Sequence, residues 1–468
     1  MKKPKATAPT PHQYCVLRQI CNYIPVFLVA HLARATGVDQ KARTFSPWSH
    51  IVALLYAQLT HAIGLNDVCD ALRLHSGPLS ALRGATAPTR NNLSHANKHR
   101  DASLAQQLFW SVLEHLKALH PRFAGSKKGK RLLYRFKRTI HAVDSTTIQL
   151  VASCMDWAKH RRRKAAAKCH LRLDLQSFLP SFAIIDTAKH HDNKRAREVC
   201  AGLRAGEIVL FDKAYVDFSH LLDLLRRGVF WVTRAKDNLQ CRVVKRRQWR
   251  RKGNILRDDL IVLTTDKSRG QYPEVLRRVV ALVELDREWV EMTFLTNNLD
   301  WSAQTIADLY RCRWQIEVFF KQIKQTLQLA DFLGQSANAV RWQVWMALLV
   351  YVLLRFLACA TDWEHSFTRL WALARTALWR KLDVLALLRS YGTAGGSFRM
   401  LGQPEAAYLP GFASNLWDSH AKKSAHSHAI LNKVLTPLCN KPLDSLGNQS
   451  VHPCCSPAIG TECNRYSL

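Results

Sequence analysis

The sequence changes character at TIHAVDSTTIQL, residues Thr139–Leu150. Upstream, apolar residues recur every three or four positions, as they do on one face of a helix. Here a short apolar, β-branched run has the pattern of a central strand, and Asp144 follows it. Further strand patterns come after this run, so we predict a mixed sheet flanked by helices, an α/β (α+β) fold.

The residues before this strand have helical patterns. Between Ser46 and Gly64, Ser46 is the expected N-cap, Pro47 takes the first helical position and Gly64 is the expected stop. Two more helices are predicted near residues 66–74 and 102–119. We therefore predict an all-helical N-terminal domain over residues 1–124.

A polar and basic segment, TRNNLSHANKHR, lies between these helices at residues 89–100, with Thr89 as the expected cap. It has the composition of a recognition helix that docks on duplex DNA. A solvated helix face explains the same residues equally well, and the sequence leaves both interpretations open.

After Asp144 the patterns alternate between strands and helices. A hairpin is predicted to turn near residues 176–180, IVLFD (208–212) has the pattern of a buried strand, and the basic run KRRQWRRK (245–252) is expected in a loop. Helices are expected from Ser302 to about Leu388. The predicted divisions are a core at 132–228, a β-rich insertion at 229–298, a second core part with C-terminal helices at 299–390, and a poorly ordered tail at 391–468.

Charge is the most informative feature of the composition. The 468 residues carry 68 Lys and Arg against 35 Asp and Glu, a net charge of +33 with 48% hydrophobic residues. The hydrophobic content supports sizeable cores, whereas so large a positive charge repels itself unless a polyanion is bound. Nucleic acid is the expected partner.

Membrane insertion and export are not expected. The longest charge-free apolar run, 342–354, is shorter than the roughly 20 residues of a span, and we interpret it as a buried core helix. The first residues lack the apolar stretch of an export signal, which favours a cytoplasmic protein. Thirteen cysteines without a CxxC pair argue against a disulfide framework or a cysteine-rich zinc site.

The stretch YRCRWQIEVFFKQIK, residues 310–324, concentrates polar groups on one side of a predicted helix. At about 100° per residue, five of its side chains fall within an arc of roughly 80°. They are Tyr310, Arg313, Glu317, Lys321 and Lys324. The helix would pack by an apolar stripe and present a cationic stripe with one carboxylate, although ordinary i,i+4 ion pairs of an exposed helix explain the same spacing.

Two aspartates follow predicted strands, Asp144 in AVDSTT and Asp212 in LFDKAY. Each taken alone is adequately explained as a turn or helix-cap residue. Carboxylates at the tips of neighbouring strands can also converge, and a third from a crossing helix, Glu317, would complete a cluster of oxygen ligands. Such a cluster suits Mg²⁺ or Mn²⁺ and favours metal-assisted phosphodiester chemistry in so basic a chain.

These three motifs together resemble those of bacterial insertion-sequence transposases of the DDE class, in the group with the Y-R-E-K signature. The signature, Y-x2-R-x3-E-x6-K, is matched without a gap at Tyr310, Arg313, Glu317 and Lys324. The resemblance covers about residues 12–390, and the chain beyond about residue 392 does not match the family.

The resemblance implies a ribonuclease-H-like catalytic core with a β-rich insertion and an N-terminal helical DNA-binding domain. It implies that two Mg²⁺ ions, for which Mn²⁺ can substitute, are held by Asp144, Asp212 and Glu317 as catalytic and metal-binding residues. Tyr310, Arg313, Lys321 and Lys324 would contact DNA phosphates. The expected partners are double-stranded DNA at transposon ends and target, and a second copy in a dimeric synapse, with no membrane.

Several other side chains are weaker DNA-contact candidates. Lys168, His170 and the basic run at 160–164 suit a DNA-binding loop or, equally, a solvated one. Relatives stack a flipped base on an aromatic residue of the insertion; Trp249 and Trp289 are candidates, although core packing is the favoured interpretation of both. The adjacent His190, His191 and Asp192 are not expected to form a metal site.

Three functions remain open at this stage. The first is a transposase that cuts transposon ends and joins the 3′ ends to target DNA. The second is a catalytically impaired or binding-only relative that occupies those ends, and the third is a metal-dependent nuclease that does not join strands.

Overall fold

The structure is a computed structural model that describes residues 9–38, 40, 44–125, 133, 136–150, 154–161, 164–187, 192–248, 253–285, 288–327 and 332–391. The first part of the chain is helical, as predicted. Its helices are α1 (Val16–Cys21), α2 (Leu28–Ala35), α3 (Pro47–Thr60), α4 (Leu65–Leu74), α5 (Ser76–Ser80), α6 (Arg90–His99), α7 (Ser103–Leu119) and α8 (Pro121–Ala124).

Local capping explains where α3 and α6 begin. The Ser46 hydroxyl accepts a hydrogen bond from the Ser49 amide and Pro47 opens α3, as the sequence predicted. Thr89 caps α6 by accepting from the Asn92 amide. The predicted stop at Gly64 was wrong: α3 ends at His61, whose backbone is left-handed (φ 58°), and Gly64 is instead the N-cap of α4.

The middle of the chain alternates strands and helices around a sheet. The elements are β1 (Ile140–Leu150), α9 (Met155–Ala158), β2 (Lys159–Arg161), β3 (Lys164–Asp174), β4 (Leu179–Thr187), α10 (Asp192–Val199), β5 (Ile208–Phe211), α11 (Phe218–Arg226) and β6 (Phe230–Arg234). The predicted hairpin near 176–180 joins β3 to β4.

The β-rich insertion consists of β7 (Cys241–Gln248), β8 (Ile255–Leu263), α12 (Asp266–Gln271), β9 (Leu276–Leu285) and β10 (Glu288–Thr296). The basic run was predicted in a loop, but its first residues, 245–248, extend β7. The remainder, 249–252, lies outside the described residues.

The strands form one ten-stranded sheet in the order β2-β3-β1-β5-β6-β10-β9-β8-β7, with β4 also paired to β3. Strands β4, β3 and β1 are antiparallel neighbours, and β5 and β6 run parallel to β1. This arrangement is ribonuclease-H-like and confirms the predicted fold class. The insertion continues the same sheet, because β10 pairs directly with β6.

Helices resume after the insertion. They are α13 (Ala303–Cys312), α14 (Gln315–Thr326), α15 (Ala337–Ala360), α16 (Phe367–Ala377) and α17 (Val384–Ser390). The predicted tail at 391–468 falls almost entirely outside the described residues.

Helix α15 is the central helix of the helical layer. By length and apolar composition it passes as a membrane span, but 83% of its apolar window is buried inside the protein. It packs against α3 and α7, and the Tyr351 hydroxyl donates to the Phe178 carbonyl in the β3–β4 turn. The prediction of a buried core helix is confirmed, and α15 links the N-terminal helices to the sheet.

Candidate functional site

Asp144 and Asp212 lie side by side on neighbouring strands. Strands β1 and β5 are parallel and pair Val143 with Phe211, so the next residue on each strand is an aspartate. Parallel neighbours in register stand about 4.8 Å apart and point their side chains to the same face. Asp144 was expected at a strand tip, but it lies within β1, at the point where pairing with β5 stops.

The segment 310–324 was predicted to form one helix, and that prediction was wrong. Helix α13 ends at Cys312 and α14 begins at Gln315. Between them the amides of Trp314 and Glu317 bond three residues back, to the carbonyls of Arg311 and Trp314. These tighter hydrogen bonds interrupt the α-helix.

The interruption divides the predicted cationic stripe into a buried part and an exposed part. Tyr310 and Arg313 are only 7% and 8% exposed, whereas Lys321 and Lys324 are exposed. The two buried side chains therefore contact the carboxylates, and the two lysines are accessible to a ligand.

Arg313 joins two of the three carboxylates. Its Nη2 donates to Glu317 Oε1 at 2.6 Å, and its Nη1 lies 3.3 Å from Asp144 Oδ2. The third carboxylate, Asp212, accepts a hydrogen bond from the Tyr310 hydroxyl at 3.2 Å. Two residues of the signature thus hold all three acids on one side of the sheet.

Burial raises the pKa of Asp144 to about 6. Arg313 and the Ser145 amide lower this pKa, whereas the charges of Glu317 and Asp212 raise it. Burial also raises the pKa of Tyr310 above its ordinary value, so its hydroxyl remains a donor to Asp212. A buried carboxyl with two acidic neighbours is typical of functional sites.

An open cleft of about 500 Å³ borders these acids. Its lining residues are Asp144, Ser145, Thr146, Glu317, Phe320, Lys321, Lys324 and Gln325. Lys324 crosses to β1, where its Nζ donates to the Thr147 carbonyl at 2.8 Å. Two of the three carboxylates, those of Asp144 and Glu317, therefore share this cleft with the side chains of Lys321 and Lys324.

Carboxylate oxygens are suitable ligands for a hard cation such as Mg²⁺. In this structure, however, the three carboxylates do not converge on a common coordination site. Among the described residues, no three His, Cys, Asp or Glu side chains converge closely enough to hold a metal ion. The Arg313 guanidinium instead provides the positive charge between Asp144 and Glu317. An oxygen-only donor set that already shares one cation fits a divalent ion such as Mg²⁺, provided that Arg313 moves.

The two weaker DNA-contact candidates on β3 lie away from open solvent. Lys168 is half-buried opposite Thr147 of β1. His170 is 1% exposed and its Nδ1 lies 3.2 Å from the Tyr215 hydroxyl. The prediction that His170 contacts DNA does not agree with this burial. The residues Arg162, Arg163, His190 and His191 lie outside the described residues, and no side-chain position is described for Asp192.

The aromatic residues near the site differ from the sequence interpretation. Core packing was favoured for Trp289, but its side chain is 56% exposed at the start of β10. Trp249 lies outside the described residues. The sequence analysis did not single out Trp314, which lies in the interruption next to Arg313 and is 41% exposed. Its position directly after the arginine of the signature was the feature of the sequence that could have identified it.

Known protein families match both the N-terminal helical part and the catalytic part of this chain. Residues 135–353 match the family described as a transposase DDE domain, and residues 12–82 match a domain of unknown function, DUF4372. The protein y4zB of Sinorhizobium fredii, named as a transposase, is 32% identical over 253 residues, which are 53% of this chain and 69% of that protein.

Two more relatives are insertion-sequence proteins. The protein of element IS5377 from Geobacillus stearothermophilus, named as its transposase, is 26% identical over 70% of this chain and 80% of its own length. Transposase InsG of IS4 from Escherichia coli is 25% identical over 40% of this chain and 42% of its own length. A piggyBac transposase synaptic complex superposes with a TM-score of 0.41 at 9% identity, covering 83% of this chain and 85% of that one.

Proposed function

The chain belongs to the DDE transposases of bacterial insertion sequences, and on that basis we propose that it cuts transposon ends and joins the freed 3′ ends to target DNA. The proposed reaction is metal-dependent phosphodiester transfer. Transposases of this family act on DNA and use divalent metal ions. The binding-only alternative is not favoured by these relatives, and intact Asp144, Asp212 and Glu317 also argue against it.

One observation carries the proposal. Asp144 and Asp212 occupy matching positions on adjacent parallel strands, and Glu317 reaches the same place through its contact with Arg313. We assign these three carboxylates as the ligands of two Mg²⁺ ions, for which Mn²⁺ can substitute. When bound, such ions activate a water or a 3′-hydroxyl and stabilise the leaving oxygen.

The other residues of the signature hold and release the carboxylates. Arg313 pairs with Asp144 and Glu317 while no metal is bound, and Tyr310 orients Asp212 by donating a hydrogen bond from its hydroxyl. Asp144 and Glu317 could hold a divalent ion only after the guanidinium has moved away from them. Arg313 would then turn to the nearest anion, a DNA phosphate, for which its planar fork is well suited.

The exposed lysines bind the DNA backbone beside the acids. Lys321 and Lys324 lie along the wall of the cleft that Glu317 and Asp144 border. Their ammonium groups attract phosphates and compensate for the three acids, which would otherwise repel a polyanion. Lys168 does not extend this surface, because it pairs with Thr147, three residues after Asp144, and its side chain therefore points to the opposite face of the sheet.

Trp314 is the better placed of the exposed indoles for stacking on a base at the cleavage site. Trp314 directly follows Arg313 in the chain. On β10, the residue in contact with Tyr310 is Phe294, and Trp289 lies five residues before it. Five residues of a strand span about 17 Å. On this chain spacing we propose Trp314, and not Trp289, as the residue that stacks on a base extruded beside the cut.

We also propose an oligomeric state and a cellular compartment for this protein. Cutting two ends of one element and joining them to one target requires two active sites, so we assign a homodimer to the synaptic complex. We assign the cytoplasm, where the chromosome of a bacterium is accessible, as the place of action.

A cleavage-and-joining experiment tests this function. The substrate is labelled duplex from both ends of the element that carries the gene, mixed with supercoiled target plasmid and Mg²⁺. We expect the parent protein to cut and join, and Glu317→Gln to bind the ends but cut at least about 100-fold more slowly because a metal ligand is lost.

The outcomes separate the three candidate functions. Binding without cutting by the parent supports the binding-only relative, and cutting without joining supports a nuclease. Equal cutting by Glu317→Gln and the parent would refute the assignment of Glu317. Gln325→Ala, which alters a neighbouring cleft residue without a carboxylate, serves as the matched control.

A further inference from the structure

Helix α6 presents a face that the active site does not use. Its buried side chains, Leu93, Ala96 and Asn97, lie on one side. The opposite side carries Asn91, His95 and Lys98 at spacings of four and three residues, and all three are exposed. At about 100° per residue these three fall within an arc of about 60°.

This face has the chemistry of a DNA-reading surface. Every residue from Arg90 to Arg100 is neutral or basic, so no carboxylate opposes a phosphate. Asn pairs well with adenine and Lys with guanine along the major-groove edge. Ten residues span about 15 Å, and an α-helix fits the roughly 12 Å width of that groove.

The opposite side of α6 is fixed by a polar network. His50 Nε2 lies 2.8 Å from Asn97 Oδ1, and the Asn338 side-chain amide donates to the carbonyls of Asn97 and Arg100 at 3.0 and 2.6 Å. Trp342 Nε1 also donates to the Arg100 carbonyl, at 2.7 Å. These contacts attach α6 rigidly to α3 and α15, so its outer face has a fixed orientation.

Helix α6 also lies beside the segment that joins the catalytic helix α14 to α15. A Cβ built on Gly334, in the segment between α14 and α15, would lie 3.7 Å from the Asn97 Cβ. His61, at the end of α3, contacts the Thr326 carbonyl at the last residue of α14. Thr326 lies nine residues after Glu317, so the end of α14 that His61 contacts is about 13 Å along the helix from this acid.

We propose that the outer face of α6 reads the sequence of the transposon end in the major groove, inside the cut. Asn91, His95 and Lys98 contact base edges, and Arg90 contacts the backbone. This inference rests on the proposed function for its substrate, but it concerns recognition and not the chemistry.

The test measures specificity without catalysis. The Asn91→Ala/His95→Ala variant, Lys98→Ala and the parent are titrated, in metal-free buffer, with duplex from the element's own end and with a scrambled duplex of equal length. We expect each variant to lose at least about 10-fold in affinity for the end and little for the scrambled duplex. Lys267→Ala, in the exposed part of α12, is the charge-matched control.

Each result has one meaning. Unchanged preference for the end, or equal losses on both duplexes, would overturn the proposal and leave α6 as a solvated or backbone-binding face. Methylation of guanine N7 on the end duplex should block the parent at positions inside the cut, and interference confined to the minor groove would also overturn it. This binding test is independent of the cleavage test, because it is done without metal. If the proposed function is wrong, cleavage is absent, but the preference of α6 for the end can still be measured.

Discussion

Asp144 contributes a carboxyl group whose protonation couples the site to the stability of the fold. Its pKa is about 6 in the folded protein because of burial, and about 3.9 in an unfolded chain. Between about pH 4 and pH 6 the Asp144 carboxyl therefore binds its proton more tightly in the folded state than in the unfolded chain. The stabilisation from the protonated form is therefore complete below about pH 4 and is lost as the pH rises towards 6.

Replacing Asp144 by Asn should remove this pH dependence. In chelator-treated buffer, we expect the free energy of unfolding of Asp144→Asn to exceed that of the parent by a margin that grows between pH 4 and pH 7. The growth is at most about 3 kcal/mol, from two pKa units. Denaturant titrations of both proteins measure it, and parallel curves would contradict a raised pKa at Asp144.

Single side chains were predictable where the decisive partner was close in sequence. The spacing of Arg313 and Glu317 predicted their ion pair, which forms at 2.6 Å. The contact of Arg313 with Asp144, which is 169 residues away, depends on the sheet and could not be found from spacing. His170 was misjudged for the same reason, because Tyr215 covers it from another part of the chain.

The insertion strands are attached to the catalytic layer by a buried arginine. Arg277, on β9, is 1% exposed and donates through Nε and Nη2 to both oxygens of Asp258, each at 2.8 Å. Its Nη1 contacts the carbonyls of Asn298 and Trp301, in the segment that leads into α13. The helix that carries Tyr310 therefore begins beside the insertion.

Removing Arg277 should destabilise the protein strongly. Arg277→Ala leaves the buried Asp258 carboxylate without its main partner, which costs about 3–5 kcal/mol. Thermal and denaturant unfolding measure the loss, and Arg257→Ala, an exposed residue of β8, is the control. Arg277→Met/Asp258→Leu should recover most of the stability; an equal loss in the double variant would show that the carboxylate was not the cause.

Element types were largely predictable because periodicity is a local signal. The helices α3, α4 and α7 and the strands β1 and β5 lie close to their predicted positions. The end of α3 and the break after Cys312 were missed, since neither contains the glycine or proline that marks most ends. The pairing of β10 with β6 is a contact between distant segments, and no local pattern predicts it.

The charge of the whole molecule, +33, attracts DNA without indicating where it binds. The positions of the cations relative to the acids are more informative. Lys321 and Lys324 line the cleft beside Asp144, whereas Lys117 lines a different cavity with His141, which precedes Asp144 by three residues and so points to the other face of β1. A polyanion that enters this cleft meets the first two lysines beside the carboxylates.

Salt dependence distinguishes these lysines experimentally. Each lysine that neutralises a phosphate contributes about 0.9 to the slope of log K against log salt concentration for duplex DNA. We expect Lys321→Ala/Lys324→Ala to lower the slope for end binding by roughly 1.8 and Lys117→Ala to leave it unchanged. Fluorescence anisotropy between about 50 and 200 mM salt provides the slopes. Equal slopes for all three proteins would mean that the backbone does not follow the cleft, and DNA would then have to reach Glu317 from another side.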